Sequence, residues 1–104
     1  MAASPRFLEL LEKMKDIHIR KNAGYSGKDN PDTFANFRRA EDWGVKPSIG
    51  CLIRLSDKYS RASSLIKNPQ NEQVGETFED TMVDLANYCL IYLCLREEEE
   101  NENK

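Results

Sequence analysis

The sequence predicts an all-α protein, a small bundle of three long helices and one short one. Three observations lead there. Apolar residues recur at helical spacing through most of the 104 residues. Proline and glycine fall where helices should start and stop. No window alternates apolar and polar residues as a half-buried strand would.

Each element follows in order. Ser4-Pro5 offers an N-cap followed by proline at the first helical position. Phe7, Leu10, Leu11, Met14 and Ile17 then keep helical register, so a first helix is expected over 5–21. Residues 22–32, NAGYSGKDNPD, read as a loop by their Gly, Pro, Asn and Asp content. Asp32 or Thr33 should cap a short helix, TFANFRRAEDW, that Gly44 ends. Pro47 opens a third helix, which runs to about Lys67 and breaks at Asn68-Pro69. The fourth begins between Gln73 and Glu76 and runs to about Arg96. The third and fourth should pair as an antiparallel hairpin. A single helical domain is expected over 1–96, with a disordered acidic tail, EEEENENK, over 97–104.

Composition narrows the function. With 39% hydrophobic and 32% charged residues the chain can build a modest core. The net charge of −3 provides no general attraction to nucleic acid or an anionic membrane, so neither is expected as a partner. The N-terminal MAASPRFLEL has no basic start followed by an apolar stretch, and no signal peptide is expected. The longest apolar run, Tyr88 to Leu95, is too short to span a bilayer. Three cysteines without CxxC spacing suggest a reducing, cytoplasmic setting, and one histidine, His18, argues against a zinc site.

The chemistry concentrates on the last two helices. At 100° per residue, Cys51, Leu52, Leu55, Tyr59, Ala62 and Ile66 form the expected core face of the third. Arg54, Asp57, Arg61 and Ser64 share another line, with Lys58 at its edge. On the fourth helix Phe78, Met82, Leu85 and Cys89 belong to a wide apolar arc. Glu76, Asp80, Asp84 and Asn87 occupy a narrow polar one that turns into Ile91 and Cys94, which places Asp84 and Asn87 near a buried zone. A carboxylate there needs a cation or a strong donor. One reading is an interhelical ladder of Arg54 and Arg61 with Asp80 and Asp84. The other is a site in which acids hold Mg²⁺ while arginine and lysine grip phosphate. The loop from Lys21 to Lys28 adds lysines and glycines suited to an anion, and Tyr25 could stack on a base.

The segments KNAGYSG, FANFRRAEDWG, IGCLIRLSDKYSRASSLIKN and ETFEDTMVDLANYCLIYL together resemble the nucleotide-modification-associated domain family of small phage and bacterial helical proteins. The shared motifs are KNxxYG, RxxDKxxR and EDxxxDLANY. More distantly the chain is similar to MazG-like all-α nucleoside triphosphate pyrophosphohydrolases, in which acids on facing helices hold Mg²⁺ over a nucleotide's phosphates. The resemblance implies a nucleotide ligand, a cytoplasmic setting in a bacterial host, and Mg²⁺ as cofactor. It assigns metal binding to Asp57, Glu76, Asp80 and Asp84, and catalysis to Glu79 and Asp84. Ligand contacts fall on Lys21, Tyr25, Arg54, Lys58, Arg61 and Asn87. The pattern departs where the third helix contributes only Asp57 to the acid cage; Glu9 and Glu12 are expected on a solvent face of the first. Hydrolysis therefore stands beside non-catalytic sequestration of a nucleotide, including a cyclic one used in defence signalling. A structural module is the third reading. The all-round apolar YCLIYLCL suggests a homo-oligomer under any of them.

Overall fold

A computed structural model describes residues 2–25, 32–72 and 77–102, with the side chains of 21–25 excepted. Helices α1 (Pro5–Tyr25), α2 (Ala35–Arg38), α3 (Pro47–Lys67) and α4 (Phe78–Glu102) form an all-α bundle, and no strand occurs among these residues. No helix among them is long and apolar enough to cross a membrane.

The helix ends have local causes. The Ser4 hydroxyl accepts the Phe7 N–H at 3.2 Å, and Pro5 opens α1. That helix continues to Tyr25, four residues past its expected end at 21. The Asp32 carboxylate accepts the Phe34 N–H at 3.0 Å just ahead of α2. The expected single short helix is instead α2 followed by a 3-10 segment, Arg39–Trp43. Gly44 ends it with φ 74°, a left-handed conformation that a side chain would resist. Pro47 starts α3 and Asn68 closes it, as expected. The start of α4 falls at Phe78 because Thr77 and Asp80 form a reciprocal capping box. The Thr77 hydroxyl accepts the Asp80 N–H at 3.0 Å and the Asp80 carboxylate accepts the Thr77 N–H at 3.2 Å.

The core is the seam of an antiparallel hairpin. On α3, Ser48, Cys51, Leu55, Lys58, Ala62 and Leu65 are buried or half-buried at alternating steps of three and four. On α4, Thr81, Asp84, Tyr88, Ile91, Leu95 and Glu98 keep the same steps. This is the heptad spacing of two helices that coil around each other. Small residues (Cys51, Ala62 and Thr81) let the backbones approach closely. Cys51 is fully buried; its thiol donates to the Tyr88 carbonyl at 3.4 Å, and burial pushes its pKa up to about 11. Phe37 closes this end of the core, its ring edge-on to Tyr88 at 6.1 Å. The Arg54 guanidinium lies 5.8 Å from the Phe37 ring centre. Gly50 lets the 3-10 segment approach, since a Cβ there would sit 2.9 Å from the Ala40 Cβ.

Two expectations are corrected. The core face of α3 is turned away from Leu52, Tyr59 and Ile66, which are exposed, toward Lys58 and Leu65. Most of the wide apolar arc of α4, including Phe78, Met82 and Cys89, is likewise exposed. The second correction concerns the acidic tail. Residues 97–102 are helical. Glu98 continues the seam and accepts from Arg38 at 2.9 Å, while Glu99 accepts the Ser48 N–H at 3.0 Å and the Ser48 hydroxyl at 2.5 Å. Lys46 provides no side-chain cap for α3, and Glu99 from α4 takes that role. Asp32 holds the other side of Arg38 at 2.5 Å, and this hydrogen bond pulls its carboxyl below the usual range.

Candidate functional site

The charged residues gather where α1 and α3 flank the first three turns of α4. Asp84 is buried in the seam with its side chain 9% accessible, and Lys58, 24% accessible, reaches its Oδ2 at 3.2 Å. One turn further along α3, Arg61 is half-buried, with its Nε and Nη2 atoms withdrawn from solvent. Asp84 thus occupies a position that heptad packing would ordinarily give to an apolar side chain. Lys58 from α3 sets a positive charge against it.

The neighbouring acids turn to α1. Lys13 bridges Glu79 at 2.6 Å and Asp80 at 2.9 Å, and Arg6 adds a second cation to Glu79. Asn87, two turns beyond Asp80, donates to the Met14 carbonyl at 3.2 Å. These contacts run in the same order along both helices, so α1 lies parallel to α4. At their far end Met14, His18, Phe34, Asn87, Leu90 and Cys94 line a largely apolar hollow of about 260 Å³.

The electrostatics follow from the partners. The Lys13 hydrogen bond lowers the Glu79 carboxyl below the ordinary range, with Arg6 assisting. The same lysine lowers Asp80, helped by the Thr77 N–H. Both carboxylates in turn raise the pKa of Lys13. The sign of the linkage is fixed by these directions. Depressed carboxyls contribute stability that is present above their unfolded value, about 4, and is lost as pH falls through their folded values. The raised Lys13 contributes stability that is present below its unfolded value of 10.5 and is lost as pH climbs through the higher folded value. Lys13→Met should therefore flatten the acid limb of the stability profile, measured by urea unfolding from pH 3 to 7. An unchanged limb would show that this network does not fix α1 to α4.

The sequence-derived site residues are thus distributed. Lys58, Asp84 and Arg61 come together in the seam. Glu79 and Asp80 are drawn to α1, and Asn87 is used as a clamp between helices. Arg54 is exposed above Phe37, and Asp57 is exposed on α3. Asp80 pairs with Lys13 and Asp84 with Lys58, two cations that the expected ladder of Arg54 and Arg61 with Asp80 and Asp84 did not include. Glu76 lies outside the described residues, as do the side chains of Lys21 and Tyr25. Sequence reasoning missed Lys13. Its signal was present: Arg6 and Lys13 are seven residues apart, on one face of α1.

Among the described residues no three acids, histidines or cysteines converge, and Glu76, one of the four expected Mg²⁺ ligands, lies outside them. Asp80 is engaged by Lys13 and its own helix cap, and Asp57 is exposed. A general base needs a free lone pair and a pKa near the working pH. Glu79, held by two cations and lowered, has an environment suited to staying ionised instead.

Fold and site together define an all-α protein with a buried ion pair, Lys58–Asp84, in its helical seam. Comparison with protein-family models, with curated proteins and with solved structures returned no match.

Proposed function

We propose that the chain binds a phosphorylated nucleotide in the crease between α3 and α4, with Lys58 and Arg61 on its phosphates. One observation carries this reading: a buried ion pair, Lys58–Asp84, sits beside half-buried Arg61 within the packed seam. Replacing such a pair with apolar residues is commonly neutral or stabilising, by about 1–4 kcal/mol. A hairpin serving only as architecture would gain from leucine there. Guanidinium and ammonium groups are the donors that phosphate oxygens take best. The ligand's phosphate competes with Asp84 for Lys58, and Arg61 adds its planar fork. The resemblance to nucleotide-modification-associated proteins points to the same ligand class.

Sequestration without turnover is favoured over hydrolysis because Glu79, Asp80 and Asp84 each already carry a cation. The test is a thermal-shift and calorimetric survey of nucleoside mono-, di- and triphosphates and cyclic dinucleotides, with and without Mg²⁺. A ligand at 100 times its Kd should stabilise by about 2.7 kcal/mol. Binding should occur without Mg²⁺, the ligand should be recovered intact, and Arg61→Gln should abolish the shift. A nucleotide consumed only with Mg²⁺ would replace sequestration by hydrolysis. No shift with any nucleotide, or one indifferent to Arg61→Gln, would overturn the proposal.

A further inference from the structure

The two faces of the α3–α4 hairpin are unlike. In an antiparallel pair, residues with the same offset from the seam fall on the same side. The residues just before the seam positions meet the rest of the chain: Gly50 meets Ala40, Arg54 meets Phe37, Asp80 meets Lys13 and Asn87 meets Met14. The residues just after the seam positions form the opposite face. On α3 these are Ile49, Leu52, Tyr59 and Ile66, all exposed, the last two at 65% and 68%. Ser56 and Ser63 fill the gaps in the row. On α4 they are Phe78, Met82, Leu85, Cys89 and Tyr92; Leu85 and Tyr92 are half-buried and the others exposed. No charged residue interrupts either row until Arg96. The charges collect at one end, where Lys46, Arg96, Glu99 and Glu100 rim a hollow of about 380 Å³.

This face is a second heptad seam without a partner. Isolated exposed apolar residues are ordinary, but a continuous patch along two helices is not. Its composition, with charge removed from the centre and Tyr, Met and Phe present, is that of an interface core. The area gives the scale. A compact monomer of 12.0 kDa should expose about 6,000 Å². This chain exposes 7609 Å². The excess, about 1,600 Å² spread over the whole chain, leaves room for the roughly 800 Å² that each partner contributes to a standard interface. The radius of gyration agrees, at 15.5 Å against about 13 Å for a compact domain of this length.

We propose that a second copy of this chain covers this face, so that two hairpins pack into a four-helix core around a two-fold axis. Both helices carry the row in the same heptad register, so the face is complementary to itself, as a two-fold interface requires. The proposal is independent of the nucleotide reading, because Lys58 and Asp84 belong to the seam within each hairpin.

Sedimentation equilibrium of the full chain should give about twice the 12.0 kDa chain mass at micromolar concentration. Tyr59→Glu and Ile66→Glu change side chains that are exposed in the single chain, so helicity by circular dichroism should persist. Each should weaken dimerisation by about 100-fold or more. Ile53→Glu, exposed on the side of α3 turned away from α4, should leave the mass unchanged. Thiol labelling provides a second readout. Both Cys89 and Cys94 are exposed in the single chain. In the dimer Cys89 should react much more slowly than Cys94, and Tyr59→Glu should remove that difference. A single-chain mass at high micromolar concentration would overturn the proposal. So would a dimer that survives both glutamate variants, or Cys89 labelling as fast as Cys94 in the unmodified chain.

Discussion

Asp84→Ala should lower the stability of the fold by about 3 kcal/mol, more than deletion of any exposed acid on the chain. Removing one partner of a buried ion pair costs about 3–5 kcal/mol because the other charge is stranded. The lower end applies here, since Lys58 is 24% accessible and keeps some contact with water. For a domain of this size the melting temperature should fall by about 12–20 °C. The informative comparison is the double variant Lys58→Met/Asp84→Leu, which removes both charges and fills the seam with apolar volume. It should recover the loss and can exceed the parent, while nucleotide binding disappears. Stability and binding then move in opposite directions. That separates a pair kept for a ligand from one kept for the fold. Urea unfolding of the four members of the cycle provides the numbers. If Asp84→Ala costs less than 1 kcal/mol, the carboxylate is effectively in water and the crease is not the desolvated site argued above.

The helices themselves were readable from local chemistry. Ser4-Pro5, Gly44, Pro47 and Asn68-Pro69 act through the backbone of their own segments, so their effect does not depend on distant residues. The facing of the helices was harder to read, for a physical reason. A helical wheel weighs hydrophobicity, and the real seam is light in it: Ser48, Cys51, Lys58, Ala62, Thr81 and Asp84 pack there because they are small or paired. The heavier rows, Leu52 with Tyr59 and Ile66, and Phe78 with Met82 and Cys89, attracted the assignment and turned out to be exposed. Two apolar faces on one helix cannot be ranked without knowing how many chains share the core. The burial of Asp84 was nevertheless legible, because its polar line runs into Ile91. Its cation was not identified as Lys58, because Lys58 lay at the edge of the basic line. The role of α1 was hidden too, since cations there gain meaning only once α4 is placed beside them.

Leu95→Ala should cost about 3–4 kcal/mol, within the range for truncating a buried leucine. Leu95 is 1% accessible and belongs to the cluster with Phe37, Cys51 and Ile91. The backbones here are held close by Cys51, and the end of α4 is anchored on both sides, so the surroundings have little freedom to collapse into the space. Leu95→Met, which nearly conserves volume, should cost less than about 1.5 kcal/mol. The two variants also probe why the acidic end is ordered. Glu98 and Glu99 reach Arg38 and Ser48 only if Leu95 fixes the preceding turn against α3. Loss of that packing should therefore raise amide hydrogen exchange at Ser48, whose N–H is held by Glu99, more than at residues in the middle of α3. Equal protection at Ser48 in the parent and in Leu95→Ala would mean that the glutamates order the helix end by charge alone. A charge run that ordinarily stays solvated is then drawn into the fold by its own ion pairs, and the leucine before it serves only the core.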